Sequence, residues 1–184
     1  RAALGEQLKL LEAAEKLRQV VMIQCAGSRA EESAKGGLPY CSKLCCSQAV
    51  KNALRLKEMN PAAEVYVLYR DMRTYGFKED YYRAARQQGV VFIRYDELAP
   101  PQVEVVDGRA RVSVEDKLLG RWLSFQPDLL ALSVGVVPNK VDELAKLLKV
   151  PLTAEGFFLE AHVKLRPVEF SVEGVYLCGL AHSP

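Results

Sequence analysis

Short apolar runs rich in β-branched residues alternate with amphipathic stretches along the first two thirds of the chain. The runs predicted as buried strands cover residues 19–25, 63–71, 90–98 and 128–134. Between them, apolar residues at helical spacing predict one helix over 42–60, with Ser42 as its N-cap, and a second over 78–89, closed by Gly89. Strands that alternate with helices in this way are typical of a parallel sheet.

The segment between the third and fourth strands follows a different pattern. Asp107-Gly108, flanked by alternating apolar residues, predicts a hairpin, and "LGRWLSF" predicts a third short strand after it. The predicted fold class is therefore α/β, with a Rossmann-like parallel sheet of the FAD/NAD(P)-binding type and a small antiparallel meander.

The two ends of the chain differ from this central region. Leucines at helical spacing predict a connector helix within residues 1–19. Residues 20–137 are expected to form one domain, and residues 138–184 to carry a short helix, a turn at Glu155-Gly156 and a final strand, "GVYLCG". Because the chain begins with Arg1, we expect it to be a piece of a longer protein.

Composition narrows the classes of function. The chain has 25 basic and 23 acidic residues and a net charge of +2, so no basic tract indicates nucleic-acid binding. Its apolar runs are too short for a membrane span. Without a secretory signal, its five cysteines are not expected to form a disulfide framework. A reducing cytoplasmic location is expected instead.

Four of those cysteines are crowded together, and three lie within "YCSKLCCSQAVKNAL". They follow the first strand, where a nucleotide-binding fold would place a GxGxxG turn, and that turn is absent. A helix N-terminus beside them favours thiolates, the form that binds metal. The spacing C-x15-C-x3-C-C is typical of neither zinc ribbons nor ferredoxins. An iron–sulfur cluster, zinc and inert buried cysteines all stay open on spacing alone.

Several stretches resemble a known family in the same order along the chain. "VVMIQCAGSR", "PYCSKLCCSQAVKNAL", "AEVYVLYRDMRTYG", "LSVGVVPN", "GFFLEAHVKLRPV" and "GVYLCGLAHSP" resemble the iron–sulfur flavoprotein of heterodisulfide reductase, its A subunit, and the bacterial relatives of that protein. The resemblance implies a thioredoxin-reductase-like core that binds FAD, and an altered nicotinamide-binding domain with a [4Fe–4S] cluster. The implied cluster ligands are Cys25, Cys41, Cys45 and Cys46. Lys51 would face the reactive nitrogen of the flavin, where a cation stabilises the reduced anionic ring.

The segment "EAHVKLRPV" allows two interpretations. Its alternating pattern predicts a half-buried extended segment with a charged face, formed by Glu160, His162, Lys164 and Arg166. The resemblance places these residues beside the flavin and makes Gly179 part of a late flavin-binding strand, although the usual acidic residue after that glycine is missing. Cys178 is predicted to be a buried apolar residue and not a fifth ligand.

The chain lacks the GxGxxG turn and the CxxCxxCxxxC runs of the complete flavoprotein. The resemblance therefore implies a central fragment, inactive by itself, whose partners are the other subunits of a heterodisulfide reductase-type complex and ferredoxin or hydrogenase-type electron donors. Residues 138–184 would return to an incomplete FAD domain. Two alternatives remain: a dithiol/disulfide relay, and a zinc-stapled Rossmann-like binding module.

Overall fold

The computed structural model describes residues 12–30 and 37–183. Contacts divide the chain into two compact units, one ending at Val134 and the other beginning at Gly135. Residues 12–15 are helical, as the connector helix predicts, and most of that predicted helix lies outside the described residues. Within the described ranges, no helix combines the length and apolar character needed to span a bilayer.

The described residues of the first unit form seven named strands and two named helices. In chain order they are β1 (Gln19–Ala26), α1 (Cys45–Met59), β2 (Glu64–Tyr69), α2 (Lys78–Gln87), β3 (Val91–Arg94), β4 (Gln102–Val106), β5 (Arg109–Asp116), β6 (Arg121–Phe125) and β7 (Leu129–Val134). Four strands form a parallel sheet in the order β3-β2-β1-β7, and β4-β5-β6 form an antiparallel meander. The arrangement agrees with the predicted strand order.

The central strands β1 and β2 are mostly buried, and their successive residues point to opposite faces of the sheet. The edge strand β7 was predicted to be buried, and that prediction is wrong, because Leu132 and Val134 are more than half exposed. Val20, Met22 and Val67 pack with residues of α1 such as Val50 and Ala53 in one core cluster. The neighbouring strand residues pack on the other face with the meander, in a second cluster that contains Val21, Ile23, Leu68, Ile93, Val112, Val114 and Phe125. The helices therefore cover one face of the sheet and the meander covers the other.

Local turn chemistry confirms one prediction and corrects another. Asp107 and Gly108 both have positive φ, 51° and 74°, as a two-residue hairpin of type I′ requires. The first helix begins later than predicted, at Cys45, and the residue before it makes no side-chain cap. Ser42 is not the N-cap, because Lys43 has a φ of 56° and interrupts the helical path between them.

The second unit is small and mostly irregular. Its helix α3 (Asp142–Leu148) packs Ala145 into a core cluster with Val150, Phe170 and Leu177. The predicted turn at Glu155-Gly156 is present, and the Gly156 N–H donates to the Thr153 carbonyl at 3.0 Å.

The final strand predicted over 174–179 is wrong. Tyr176 makes only an isolated bridge with Glu169, and Gly179, with a φ of 60°, begins a short 3₁₀ turn. No strand among the described residues of this unit runs beside the segment, so a backbone ladder cannot form there.

Leu68→Ala is expected to lower the free energy of unfolding by about 2–5 kcal/mol, because Leu68 is completely buried in the cluster beneath the meander. Urea unfolding followed by circular dichroism measures the change. Leu118→Ala removes the same atoms from a side chain that is 95% exposed, and it should change stability by less than about 0.5 kcal/mol. Equal losses in the two variants would contradict the assigned core.

Asp128→Asn is expected to make stability less dependent on pH. The Asp128 carboxylate accepts backbone N–H groups of Arg18 and Gln19 at 2.7 and 2.9 Å, and these bonds hold its pKa below the ordinary 3.8. A lowered folded pKa contributes stability above the unfolded value, which is lost as pH falls through the folded value. The variant should therefore be less stable at neutral pH, and urea midpoints of the two proteins should converge below pH 3.8. A constant gap would exclude this role for the carboxylate.

Candidate metal centre

The four crowded cysteines gather where the strand order of the parallel sheet reverses. From β1 the chain continues to β2 on one side, while β7 pairs with β1 on the other. In open α/β sheets, the crevice at the carboxyl ends of two such strands is where ligands bind. Cys25 lies near the end of β1, and Cys45, the first residue of α1, has its Sγ 3.8 Å from the carbonyl oxygen of Val134 at the end of β7.

The backbone around these cysteines is unusual. Cys25 has a φ of 58°, and the pairing of β1 with β7 becomes irregular between Ile23 and Ala26. Arg29 and Lys43 also have positive φ, at 57° and 56°. Such values cost about 1–2 kcal/mol for a non-glycine residue, so other interactions must hold these segments in place. Left-handed residues of this kind are concentrated at functional sites.

Each thiol of this group has defined neighbours. Cys41 Sγ accepts the Lys43 N–H at 3.3 Å. Cys46 Sγ lies 3.6 Å from the Asp71 carbonyl oxygen and accepts the backbone N–H of Arg73. The Arg29 guanidinium group lies beside the Cys25 thiol.

All of the described cysteines are free thiols. The charges of Cys25, Cys41 and Cys45 each act on the Cys46 thiol, which shows that the structure brings the four residues together. Cys178 lies in the second unit and is exposed, so its prediction as a buried residue is wrong.

Burial, and not the helix terminus, dominates the protonation of these thiols. Desolvation raises the pKa of Cys25, Cys45 and Cys46, and the neighbouring thiolates raise the pKa of Cys45 and Cys46 further. Arg29 opposes the shift at Cys25, and the Arg73 N–H opposes it at Cys46. At Cys45, the first residue of α1, a backbone hydrogen bond lowers the pKa as expected for a helix start, but burial outweighs it. A bound metal would have to displace these protons.

The thiols are close without converging on one point. Among the described residues, no group of three or more His, Cys, Asp or Glu side chains is arranged to hold a single metal ion. Cys45 and Cys46 are adjacent in sequence, and their sulfurs contact different elements, the end of β7 and the loop after β2. This donor set suits separate corners of a polynuclear cluster better than one tetrahedral ion.

Buried polar atoms without partners accumulate in the same region. In the described part of the chain, buried side-chain nitrogen or oxygen atoms without a hydrogen bond occur at Gln24, Ser28, Arg29, Ser47 and Thr74. The Arg29 nitrogen is in an ion pair with Asp71, whereas the other groups have no partner. Native proteins rarely leave such groups unpaired, and an absent polar group is one explanation. The residues around the thiols therefore fit a cluster with acceptor atoms.

Lys51 lies just over one turn beyond Cys46 on α1 and is exposed. It lines a cavity of about 530 Å³ between α1 and α2, together with Ser47, Thr74, Lys78 and Tyr81. The position gives its ammonium group access to a ligand in the groove.

Three of the predicted cofactor residues of the second unit, His162, Lys164 and Arg166, lie in an exposed turn. His162 and Arg166 make a bridge, and His162 Nδ1 accepts the N–H groups of Lys164 and Leu165, both at 3.2 Å. The prediction of a half-buried extended segment is therefore wrong, because the His162 imidazole caps a turn within these residues. Glu160 makes a different contact: its Oε2 is hydrogen-bonded to His182 Nε2 at 2.6 Å.

Both the His182 ring and a backbone hydrogen bond hold the pKa of Glu160 below its ordinary value, with the backbone bond as the larger cause. Arg166 is paired with Glu169 at 2.5 Å, and Gly179 begins the 3₁₀ turn. The roles proposed for these residues in cofactor binding stay predictions.

Comparison with curated proteins gives a consistent group of relatives. The A subunit of the ferredoxin:CoB-CoM heterodisulfide reductase of Methanosarcina acetivorans is 40% identical over 91% of the chain. The iron-sulfur A subunit of the CoB–CoM heterodisulfide reductase of Methanocaldococcus jannaschii is 43% identical over 90%. The chain is homologous to a segment of these heterodisulfide reductase proteins. It spans only 20% and 25% of the two relatives, and no protein-family model matches it.

Solved structures confirm the fold class. Thioredoxin reductase of T. acidophilum superposes on 90% of the chain with a TM-score of 0.51 at 19% identity, over 45% of its own length. Thioredoxin reductase of Lactococcus lactis gives a TM-score of 0.53 over 94% of the chain and 48% of its own, at 16% identity. At these identities the comparison shows only that the segment has the fold of flavoprotein reductases. The resemblance to the heterodisulfide reductase flavoprotein, predicted from the sequence, is confirmed by the curated relatives.

Proposed function

We propose that this chain is the electron-transfer segment of a heterodisulfide reductase-type oxidoreductase. In this proposal, Cys25, Cys41, Cys45 and Cys46 hold a [4Fe–4S] cluster that exchanges electrons with an FAD bound by the longer protein. The observation that carries the proposal is the gathering of four free thiols at the switch point of the sheet. The homology to proteins named as iron–sulfur subunits supports it independently.

The surroundings of the thiols are suited to such a group. A cluster supplies one-electron transfer when it is bound, with a potential set by charge, hydrogen bonds to sulfur and exposure. The chain contributes half-buried thiols, the Arg73 N–H to Cys46 and the Arg29 side chain beside Cys25. These groups limit water access and place positive charge beside the sulfurs.

Lys51 is proposed to face the flavin across the groove between α1 and α2. Lys51 is exposed and lies just over one helical turn beyond Cys46, so its side chain can contact a ring that sits close to the cluster site. A cation in contact with a reduced flavin stabilises its negative charge. Glu160, His162, Lys164, Arg166 and Gly179 are proposed as further flavin contacts in the longer protein.

The proposed partners follow from the names of the relatives. These include a ferredoxin-linked reductase and an "H(2)/formate:CoB-CoM heterodisulfide,ferredoxin reductase" of Methanococcus maripaludis. We propose that the longer protein works in the cytoplasm with other subunits of such a complex, and receives electrons from ferredoxin or from a hydrogenase-type donor. The separated segment would be inactive in the complete reaction, because it spans only part of the relatives.

Anaerobic reconstitution of the chain with iron and sulfide is expected to give about four irons and four sulfides per chain. The Cys45→Ser/Cys46→Ser variant should lose most of this iron and the associated visible absorbance, since two of the four proposed ligands are removed. Iron and sulfide assays with visible and EPR spectra measure the result. Cys178→Ser is the matched control, because Cys178 is exposed in the second unit, and it should retain the full iron content.

Two results of this experiment would contradict the proposal. Retention of one zinc per chain, without iron, would favour a zinc-stapled binding module. Absence of metal together with thiols that cycle between reduced and disulfide forms would favour a dithiol relay.

Lys51→Gln is expected to lower the flavin reduction potential in the flavin-loaded full-length protein, with the equilibrium constant for flavin reduction falling about tenfold. The reason is the loss of a cation beside the developing negative charge. Spectroscopic redox titration measures this shift. Arg83→Gln removes one positive charge from an exposed pair with Asp80 on α2 and should leave the flavin potential unchanged. An unchanged potential in the Lys51 variant would exclude the proposed contact.

A further inference from the structure

A group of charged residues lies at the carboxyl ends of three neighbouring strands, β1, β2 and β3, on the edge of the sheet where β1 carries Cys25. Arg29 follows β1, Arg70 and Asp71 follow β2, and Arg94 ends β3. They line a cavity of about 580 Å³, together with Tyr69, Tyr95, Asp96, Glu97, Lys117 and Leu118.

Arg29 is the member of this group that reaches a cysteine. Its Nη1 is 2.8 Å from Asp71 Oδ2, and its guanidinium group lies close enough to Cys25 to act on the pKa of that thiol. Its side chain is only 21% exposed, whereas that of Arg94 is 68% exposed. The guanidinium group therefore lies beside both a carboxylate and a cysteine in a half-buried setting, where charge is weakly screened.

The neighbouring residues hold this guanidinium group in one position. Arg70 Nη1 donates to the Arg29 carbonyl oxygen at 2.9 Å, and its own guanidinium group pairs with Glu97. Arg94 Nε donates to the Arg70 carbonyl oxygen at 3.0 Å and pairs with Asp71 at 3.4 Å. Arg29 itself has a φ of 57°, which these contacts help to stabilise.

The same loop also reaches a second cysteine. The Asp71 carbonyl oxygen is 3.6 Å from Cys46 Sγ, and the Arg73 N–H donates to that sulfur. Two of the four thiols are thus linked through the residues that follow β2. A displacement of Asp71 would therefore change the surroundings of both Cys25 and Cys46.

We propose that Arg29 is a positioning and charge residue for the metal centre, and that, oriented by Asp71, it raises the reduction potential of a cluster held by the four cysteines. The proposal rests on the proposed function, which supplies the cluster. A cluster with four thiolate ligands gains one negative charge when it accepts one electron, and no bond is formed or broken. A fixed cation beside a ligand sulfur stabilises the more negative form.

The test measures the midpoint potential of the reconstituted chain by anaerobic titration with dithionite, monitored by EPR. Arg29→Gln should lower the equilibrium constant for one-electron reduction about tenfold, which corresponds to a potential about 59 mV lower. Arg29→Lys keeps the charge but not the planar fork, so its potential should lie between those of the unmodified chain and Arg29→Gln. Arg111→Gln is the control, because Arg111 pairs with Glu104 in the meander and should leave the potential unchanged.

The part played by Asp71 is tested by a double-mutant cycle. If Asp71 orients Arg29, the shift caused by Arg29→Gln will be smaller in the Asp71→Asn background than in the unmodified chain. Equal shifts in the two backgrounds would overturn the positioning role. Thermal unfolding of every variant shows whether the fold is intact.

The outcomes separate this proposal from the proposed function. If the unmodified chain holds no iron–sulfur cluster, the proposed function fails and the role of Arg29 fails with it. If the chain holds the cluster, and Arg29→Gln has the same potential as Arg111→Gln, only the role of Arg29 is overturned. If Arg29→Gln retains no iron, the potential of its cluster cannot be measured, and Arg29→Lys provides the test instead. A potential in Arg29→Lys equal to that of the unmodified chain would contradict the proposal.

Discussion

The parallel pairing of β7 with β1 is the constraint on which the candidate site depends. These strands are separated by roughly a hundred residues, and they adjoin along Val20 to Ile23 before the register becomes irregular at Cys25. Asp128 fixes the start of β7 to the backbone of Arg18 and Gln19. Since the pairing places the ends of both strands together, the Val134 carbonyl oxygen can lie beside Cys45. Without the pairing of β7 with β1, only the end of β1 would line the crevice in which the cysteines lie.

The chemistry of the site contains an electrostatic conflict. Burial raises the pKa of three of the four crowded thiols, while metal binding requires thiolates. Unpartnered buried groups at Gln24, Ser28, Ser47 and Thr74 and left-handed residues at Cys25 and Arg29 add to the cost of this region. Functional sites commonly violate the rules that the rest of a fold obeys. Under the proposed function, a bound polyanionic cluster would offset several of these costs together, because it replaces protons and accepts hydrogen bonds.

The features that the sequence predicted well are those determined by short-range chemistry. Apolar runs predicted the positions of the parallel strands, although β7 is not buried, and Asp107-Gly108 predicted the hairpin because both positions need positive φ. The start of α1 could not be predicted, since nothing in the residue type shows that Lys43 adopts a left-handed conformation. Alternation in "EAHVKLRPV" predicted an extended segment, although no strand lies beside it among the described residues and His162 caps a turn instead.

The candidate site was predicted in the same uneven way. Crowding in the sequence identified the cysteines, because three of them share one short segment. The role of Arg29 and Asp71 was missed, since these residues lie on different strand ends and meet only after β1 and β2 pair. The signal available was "YRDMR", a charged run directly after a buried strand, at the edge where parallel sheets place ligands. Only the register of the parallel strands shows which charged residue of "YRDMR" lies near a cysteine.

The position of the cysteines also explains how one fold can serve two kinds of ligand. In dinucleotide-binding sheets, this crevice receives a pyrophosphate, whose negative charge is stabilised by a helix N-terminus and close backbone N–H groups. Under the proposed function, the same crevice receives a cluster with thiolate ligands, which is also an anion. Here the stabilising groups are the Arg29 side chain and the Arg73 N–H, since burial outweighs the helix terminus at the thiols. The topology thus supplies a place for negative charge, and the loops after β1 and β2 determine which anion it accepts.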